Sequence, residues 1–379
     1  MKRLPAIDTV RGIVIVLMIL DHTRFFFSPS IFSPTDLQHT TPALFTTRWI
    51  THIAAVAFIL LAGASAHLYG LRHGERGTRP FLLRRGVFIA MLELSLVKFC
   101  WNYRMDFSMT YLQVIWAIGW SMVLLACVIS IPRLVGFSAA LCCILSQYIA
   151  PAITGRADTL PELLSALLCI PGTFVLPHNM AFHTSYPVLP WFGLMWIGYL
   201  GAPVLLARSV QARRKLMAYS GLACFALFAV IRWQCEDTSS LTAFLNVQKY
   251  PPQADYLLVT TGLFLFLYIT VEYFHEHSLS LLNPTLSIFN LFGKAPLVIY
   301  MIHLFFLQIL RNAINWYPSV FNSIPIFNTT PEGLFHLSAV YFIAALTSAC
   351  MLPIALLFIR TKNNTSRTSI FKNSKEYKI

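Results

Sequence analysis

An arginine and a histidine stand eleven residues apart near the start of the chain, Arg11 and His22, with Asp8 before the one and Asp21 beside the other. Eleven steps of ~100° return to within ~20° of the same helical face, so both side chains enter one groove, ~16 Å apart along the axis. A histidine so placed can take a catalytic or a substrate-binding role. Asp8 is spaced to pair with Arg11. Asp21 points ~100° away from His22 and would set the local field or meet an acceptor instead of forming a dyad. The competing reading of all four is a structural polar network that locks one helix against its neighbours. Either way they sit deep. The apolar run between Arg11 and Asp21 covers ~13 Å of helix, too little to cross ~30 Å of hydrocarbon. The helix must continue through Asp21-His22-Thr23-Arg24 into Phe25-Phe26-Phe27, holding ionisable groups at membrane depth, where they are costly.

Further candidates follow along the chain. Arg79, Arg84 and Arg85 precede an apolar run. Guanidinium forks suit phosphate oxygens, and the same cluster also serves as ordinary positive-inside anchoring. Lys294 opens a helix whose first turn holds Pro296, where the missing N–H costs little. His303 lies two turns deeper, either as an oxyanion or phosphate stabiliser beside Lys294 or as a hydrogen bonder between helices. Glu93 stands amid Val87–Leu92 and Leu94–Val97 and requires a cationic partner, a neutral form or a functional reason. Pro190-Trp191-Phe192-Gly193, Lys249-Tyr250-Pro251-Pro252 and Ser33-Pro34-Thr35-Asp36-Leu37 are specified beyond hydrophobicity, although aromatic residues at span ends commonly act as interfacial anchors. No metal-ligand spacing is read; the pair His275 and His277 is too short a motif and marks an interface.

The elements that position these residues are transmembrane helices. Hydrophobic residues make up 57% of the 379 positions and charged ones 11%, with a mean hydropathy of +0.65, a composition foreign to a water-soluble surface. The eight cysteines lie mostly inside apolar runs without CxxC spacing and read as small buried hydrophobes. Apolar spans are expected at about 10–27, 50–69, 84–101, 111–131, 134–153, 187–207, 215–231, 255–274, 295–314 and 335–359. The stretch Leu160–Leu176, broken by Pro161, Pro171 and Gly172, reads as interfacial or re-entrant. The expected fold class is therefore all-α, a polytopic integral membrane helical bundle of about ten transmembrane helices, or eleven if that stretch crosses. With the N-terminus inside, the cytoplasmic segments hold 19 of the Lys and Arg residues and the outer ones 8, which supports N-in and C-in. The same asymmetry accounts for the net charge of +13 without nucleic acid. The run Ile13–Leu20 leads into Asp21-His22, not into a cleavage site, so it reads as a retained span. One domain is expected over 1–360, followed by a basic cytoplasmic tail, 361–379, disordered or lying on anionic lipid.

Taken in order, Ile7-Asp8-Thr9-Val10-Arg11-Gly12, Met18 through His22, Ser33 to Leu37, Thr46-Thr47-Arg48-Trp49-Ile50-Thr51-His52, Leu61-Ala62-Gly63-Ala64-Ser65, Pro190 to Gly193, Lys249 to Pro252 and Gly293-Lys294-Ala295-Pro296-Leu297 resemble the heparan-α-glucosaminide N-acetyltransferase catalytic-domain family, a branch of the transmembrane acyltransferases. The Arg11–His22 spacing also matches a signature of the related acyltransferase-3 branch. The resemblance implies acyl transfer across a membrane, here the bacterial inner membrane, from cytoplasmic acetyl-CoA or another acyl-CoA to a sugar acceptor. No metal or nucleotide-hydrolysis motif is read, so acyl-CoA is the only cofactor expected. On the resemblance, His22, Asp21 and Arg11 are the catalytic candidates. Arg79, Arg84, Arg85 and Lys294 would take the acyl-CoA, and Asp36, Arg48, Trp191, Lys249 and His303 would frame the acceptor. The partners implied are membrane lipid, the donor and the sugar, with an oligomer allowed. The family's proposed active histidine precedes the segment matched by Ser33–Leu37; here that stretch reads Ser28-Pro29-Ser30-Ile31-Phe32, and His22, His39 and His52 are nearest. The rivals are a carrier for a lipid-linked glycan or small anion, an O-acyltransferase of an envelope polysaccharide, and a family fold that has lost its reaction.

Overall fold

A computed structural model of the protein describes residues 4–28, 32–103, 105, 108–150, 156–157, 159–176, 178, 180–207, 209–234, 240–277, 283–317, 320, 324, 327 and 335–376. Lys2, Arg3, Arg104, Arg208 and Lys378 of the charge count, and residues 29–31 of the stretch lacking a histidine, lie outside these. Along the chain the helices are α1 (Pro5–Phe27), α2 (Pro42–Thr51), α3 (Ile53–Leu92), α4 (Lys98–Asn102), α5 (Val114–Val128), α6 (Arg133–Leu145), α7 (Leu160–Leu168), α8 (Val188–Ala207), α9 (Val210–Trp233), α10 (Leu241–Phe244), α11 (Ala254–His277), α12 (Asn283–Gly293), α13 (Pro296–Trp316) and α14 (Leu337–Glu376). The strands are β1 (Thr110–Leu112), β2 (Arg156–Ala157), β3 (Gly172–Leu176) and β4 (Met180–Thr184). Among the described residues five helices, at Pro42–Trp101, Val210–Trp233, Ala254–His277, Pro296–Trp316 and Leu337–Asn364, are long and apolar enough to cross a membrane. The chain divides into two compact units: His52–Ile269, and the segments up to Thr51 and from Thr270 onward.

In the first unit α3 is a hairpin of two helical arms. Gly74 has φ 64° and ψ 175°, a backbone region open essentially to glycine alone. The rings of Tyr69 and Phe81 stack at 3.9 Å, whereas twelve residues of straight helix would part them by ~18 Å. The chain therefore reverses at Gly74. Its second arm packs on α5 with no room for side chains between: a Cβ on Gly86 would lie 2.6 Å from the Gly119 carbonyl oxygen, and one on Gly119 2.7 Å from that of Gly86. Small residues at such crossings let helices approach in an apolar medium, where packing replaces the hydrophobic effect.

That arm passes through a π-helical turn, Glu93–Val97, into α4. Glu93, 2% exposed, makes no ion pair with a cation among the described residues. Its carboxylate accepts the backbone N–H of Trp116 at 3.2 Å and is also met by the N–H groups of Ile115 and Gln113. These are donors that the start of α5 leaves without an intrahelical partner. Glu93 is thus a cap supplied from another helix. One turn on, the buried Lys98 ammonium donates to the Met109 carbonyl at 3.0 Å and the Thr110 hydroxyl at 2.9 Å, tying α4 to β1.

The structure is mostly helical, as expected, and this unit adds a small four-stranded sheet in the order β1-β4-β3-β2. β3 and β4 run antiparallel, while β1 on β4 and β2 on β3 are parallel. The stretch Leu160–Leu176 becomes a short helix and a strand. Thr159 and Glu162 form a capping box that starts α7, and Pro171-Gly172 ends the helical run so that Gly172 can open β3. Leu112, Phe174 and Ala166 form the small core between sheet and helix.

In the second unit α1 packs against α12, α13 and α14. Its 23 residues extend ~34 Å, enough to span a bilayer, yet it falls outside the five apolar helices because it carries Asp8, Arg11, Asp21 and Arg24. A Cβ on Gly12 would lie 1.8 Å from the Phe289 carbonyl oxygen, and one on Gly293 1.8 Å from that of Asp8. The two backbones touch at this pair of glycines.

Candidate active site

The contact between α1 and α12 fixes Arg11. Its guanidinium donates to the Asp8 carboxylate at 3.0 Å and to the Gly293 carbonyl at 3.1 Å. The spacing thus pairs Asp8 with Arg11, while the Gly293 carbonyl is a partner that no side-chain pattern announces. Lys294 follows at once, half-buried between α12 and α13. Two basic groups therefore stand at one end of α1.

Toward the other end His22 meets His303 of α13. His22 Nδ1 and His303 Nε2 are 2.7 Å apart, and the rings are parallel within 5° with centroids 5.0 Å apart. A separation of 2.7 Å between nitrogens with that centroid distance is an in-plane, edge-to-edge hydrogen bond, not face-on stacking. The remaining nitrogen of His303, Nδ1, is 2.8 Å from the Ile299 carbonyl oxygen one turn earlier. A carbonyl only accepts, so Nδ1 of His303 carries the proton. In the neutral ring its Nε2 must then accept, and His22 Nδ1 must donate to it. Neutral His22 is thereby held with its lone pair on Nε2. His303 is fully buried; His22 is half-buried. The edge of Tyr300 closes the pair, with ring centroids 5.9 Å from His22 and 5.8 Å from His303.

Asp21 faces elsewhere, as its place on the helix requires. Arg48 Nη1 donates to both of its oxygens at 2.6 Å, Arg24 to Oδ1 at 3.2 Å and the Thr51 hydroxyl to Oδ1 at 3.0 Å. Asp21 and Arg48, assigned separately to catalysis and to the acceptor, are thus one ion pair tying α1 to α2. Asp36 belongs to a tight turn between those helices. It accepts from the Gln38 N–H at 3.0 Å and lies 2.8 Å from His39 Nδ1. The His39 and Gln38 hydrogen bonds hold its carboxyl below the usual carboxylate range.

The other candidates lie in the first unit. Arg79 donates to the Ser130 hydroxyl, which in turn donates to Glu75 at 3.0 Å. Arg84 and Arg85 instead line a cavity of about 470 Å³ with Tyr69, Pro80, Phe81 and Phe88. Trp191, at 0% exposure, packs on Tyr186 at 5.0 Å. The Lys249 ammonium lies over the same Tyr186 ring at 5.4 Å and over Tyr250 at 5.2 Å. Trp191 and Lys249 are thus brought together through Tyr186. The fold brings Asp8, Arg11 and Lys294 together at one level of the second unit, and His22 with His303 at another. The sequence reading gave no role of their own to Tyr300, Thr51 or the paired glycines. Tyr300 and Ile299 sit three and four residues before His303, a helical spacing that would have pointed to both.

The catalytic-domain family described as heparan-alpha-glucosaminide N-acetyltransferase, catalytic, matches residues 3–231. The chain belongs to that family. It is accordingly a multi-pass membrane protein of an acetyltransferase family. The matched stretch contains Arg11, Asp21, His22, Asp36, Arg48, Arg79, Arg84, Arg85 and Trp191. Lys249, Lys294 and His303 lie beyond it, so the place of His303 beside His22 is an observation of the geometry alone. No curated protein matches the chain.

Proposed function

We propose that the protein transfers an acetyl group from cytoplasmic acetyl-CoA to an amino sugar or glycan on the far side of the inner membrane, with about ten spans and both termini inside. The observation that carries this reading is the fixed tautomer of His22. Its Nε2 lone pair takes a proton from the acceptor amine. The amine nitrogen then attacks the thioester carbonyl, the new C–N bond forms as the C–S bond breaks, and the proton passes from His22 to the leaving thiolate. His303, held by the Ile299 carbonyl, keeps the ring aimed and shares the charge that develops on it, as orienting partners of catalytic histidines do elsewhere.

Arg11 and Lys294 suit the donor's phosphates as charge-assisted hydrogen-bond donors. The ~16 Å from Arg11 to His22 along α1 is of the order of an extended pantetheine arm. Asp21 with Arg48, and Asp36 in the turn before α2, give the same end of α1 the polar groups an acceptor sugar needs.

The test is acetyl transfer by the purified chain, with radiolabelled acetyl-CoA offered with and without glucosamine, beside His22→Ala. The expected result is label on the sugar with wild type and a loss of about 10²–10⁴-fold in the variant. Retention of label on the wild-type protein itself would instead mark His22 as the nucleophile. No donor consumption with any amino sugar or glycan would leave the carrier reading in its place.

A further inference from the structure

The cavity beside the α3 hairpin carries an inference that does not depend on acyl transfer. Arg84 and Arg85 line it with Tyr69, Pro80, Phe81 and Phe88, and among the described residues neither guanidinium meets a carboxylate. The Arg85 guanidinium lies over the Phe81 ring, 5.8 Å from its centroid. Arg79, five residues earlier, turns away to Ser130 and does not line the cavity. Two cations side by side repel each other and call for an anion.

Their level in the membrane narrows what that anion is. Arg84 lies ten residues beyond the Gly74 turn, ~15 Å up the second arm, and the arm then runs on through α4 for ~25 Å more. That remainder nearly matches the hydrocarbon thickness of ~30 Å, which leaves the arginines at the headgroup level. The outward face of the arm continues from Arg84 as an apolar stripe, with Val87 46%, Phe88 57%, Met91 47% and Phe99 36% exposed. Those residues stand three, four, seven and fifteen positions on, the spacing of one helical face. A cationic, aromatic-walled cavity at headgroup depth that opens onto an apolar stripe matches a phosphate with acyl chains below it. A soluble nucleotide would use the cavity and leave the stripe empty.

We propose that Arg84 and Arg85 bind the headgroup phosphate of an anionic phospholipid, whose chains lie along Phe88 and Met91. The family resemblance assigns the same arginines to the donor, so the experiment must separate the two ligands. The full chain is placed in phosphatidylcholine nanodiscs containing phosphatidylglycerol and transferred to mild detergent, and retained lipid is counted by native mass spectrometry. At roughly 1 kcal/mol per basic residue near an anionic surface, Arg84→Gln with Arg85→Gln weakens phosphatidylglycerol retention about 30-fold. Arg84→Lys with Arg85→Lys keeps the charge and restores much of it, and Arg79→Gln leaves it unchanged. Both arginines project outward, so the glutamine variant keeps its thermal midpoint in phosphatidylcholine alone. Equal retention by wild type and the glutamine variant overturns the proposal. So does displacement of phosphatidylglycerol from wild type by added CoA, which would return the cavity to the donor.

Discussion

Glu93 and His22 each place an ionisable side chain inside a helical element, and they do so to opposite ends. Glu93 in the first unit sits at 2% exposure with its carboxylate turned to backbone N–H groups at the start of α5. Its acceptor capacity goes to donors that would otherwise have no partner, so the group is spent on structure. His22 in the second unit is half-buried, and its hydrogen bond to His303 fixes which ring nitrogen carries the proton, so that in the neutral ring the other holds the lone pair. The Ile299 carbonyl and His303 decide which nitrogen that is. Depth in the membrane is the same signal in both cases. The difference is whether the neighbours consume the group's hydrogen-bonding capacity or orient what remains.

The comparison can be broken most sharply by exchanging the two outcomes. His22→Ala is expected to lower acetyl transfer about 10³-fold while its thermal midpoint in nanodiscs stays near that of wild type. A large loss of stability would move His22 into the class of Glu93. His303→Phe removes the acceptor that fixes the His22 tautomer. It should cost about 10–100-fold in kcat, the scale of lost orienting partners, with the KM for donor little changed. His303→Gln can still accept from His22 and should recover most of that rate. A loss confined to KM, or no rescue by glutamine, would point to a contact with substrate instead.

The next effects concern stability alone. Gly12→Ala puts a methyl where the Phe289 carbonyl oxygen stands, 1.8 Å away, and should destabilise by about 1–3 kcal/mol as α1 and α12 are forced apart. Because Arg11 donates to Gly293 at this crossing, the residual activity should show a raised donor KM. The pair at Glu93 touches stability without touching the donor. Glu93→Ala leaves the α5 donors unsatisfied and should cost about 1–3 kcal/mol, and Glu93→Gln, whose carbonyl still accepts, less. Neither should alter kcat per folded molecule; a fall in kcat with Glu93→Gln would give the first unit a chemical role.

What was legible in the sequence was what depends on period. The length of the apolar runs implied membrane-crossing helices, and the eleven-residue spacing put Arg11 and His22 on one helical face. The pairing of Asp8 with Arg11 follows from three-residue spacing. His22 and His303 are 281 residues apart, and no local pattern links them. Glu93 could not be read because its partners are backbone N–H groups, which carry no residue type. The close approaches of Gly12 to Phe289 and of Gly293 to Asp8 are equally silent, since glycine in a helix marks a close approach without naming what approaches. The sheet was missed for another reason. Thr173-Phe174-Val175 and Met180-Ala181-Phe182 are as apolar as the surrounding helices, and only Pro171-Gly172 hinted that the helical run stops.

The most direct measurement is nitrogen NMR of ¹⁵N-histidine-labelled protein in nanodiscs, with His22 assigned by the signals lost in His22→Asn. The account predicts that neutral His22 carries its proton on Nδ1, with Nε2 unprotonated, and that His303→Phe abolishes this preference. A neutral His22 protonated on Nε2, or one indifferent to His303, would contradict it.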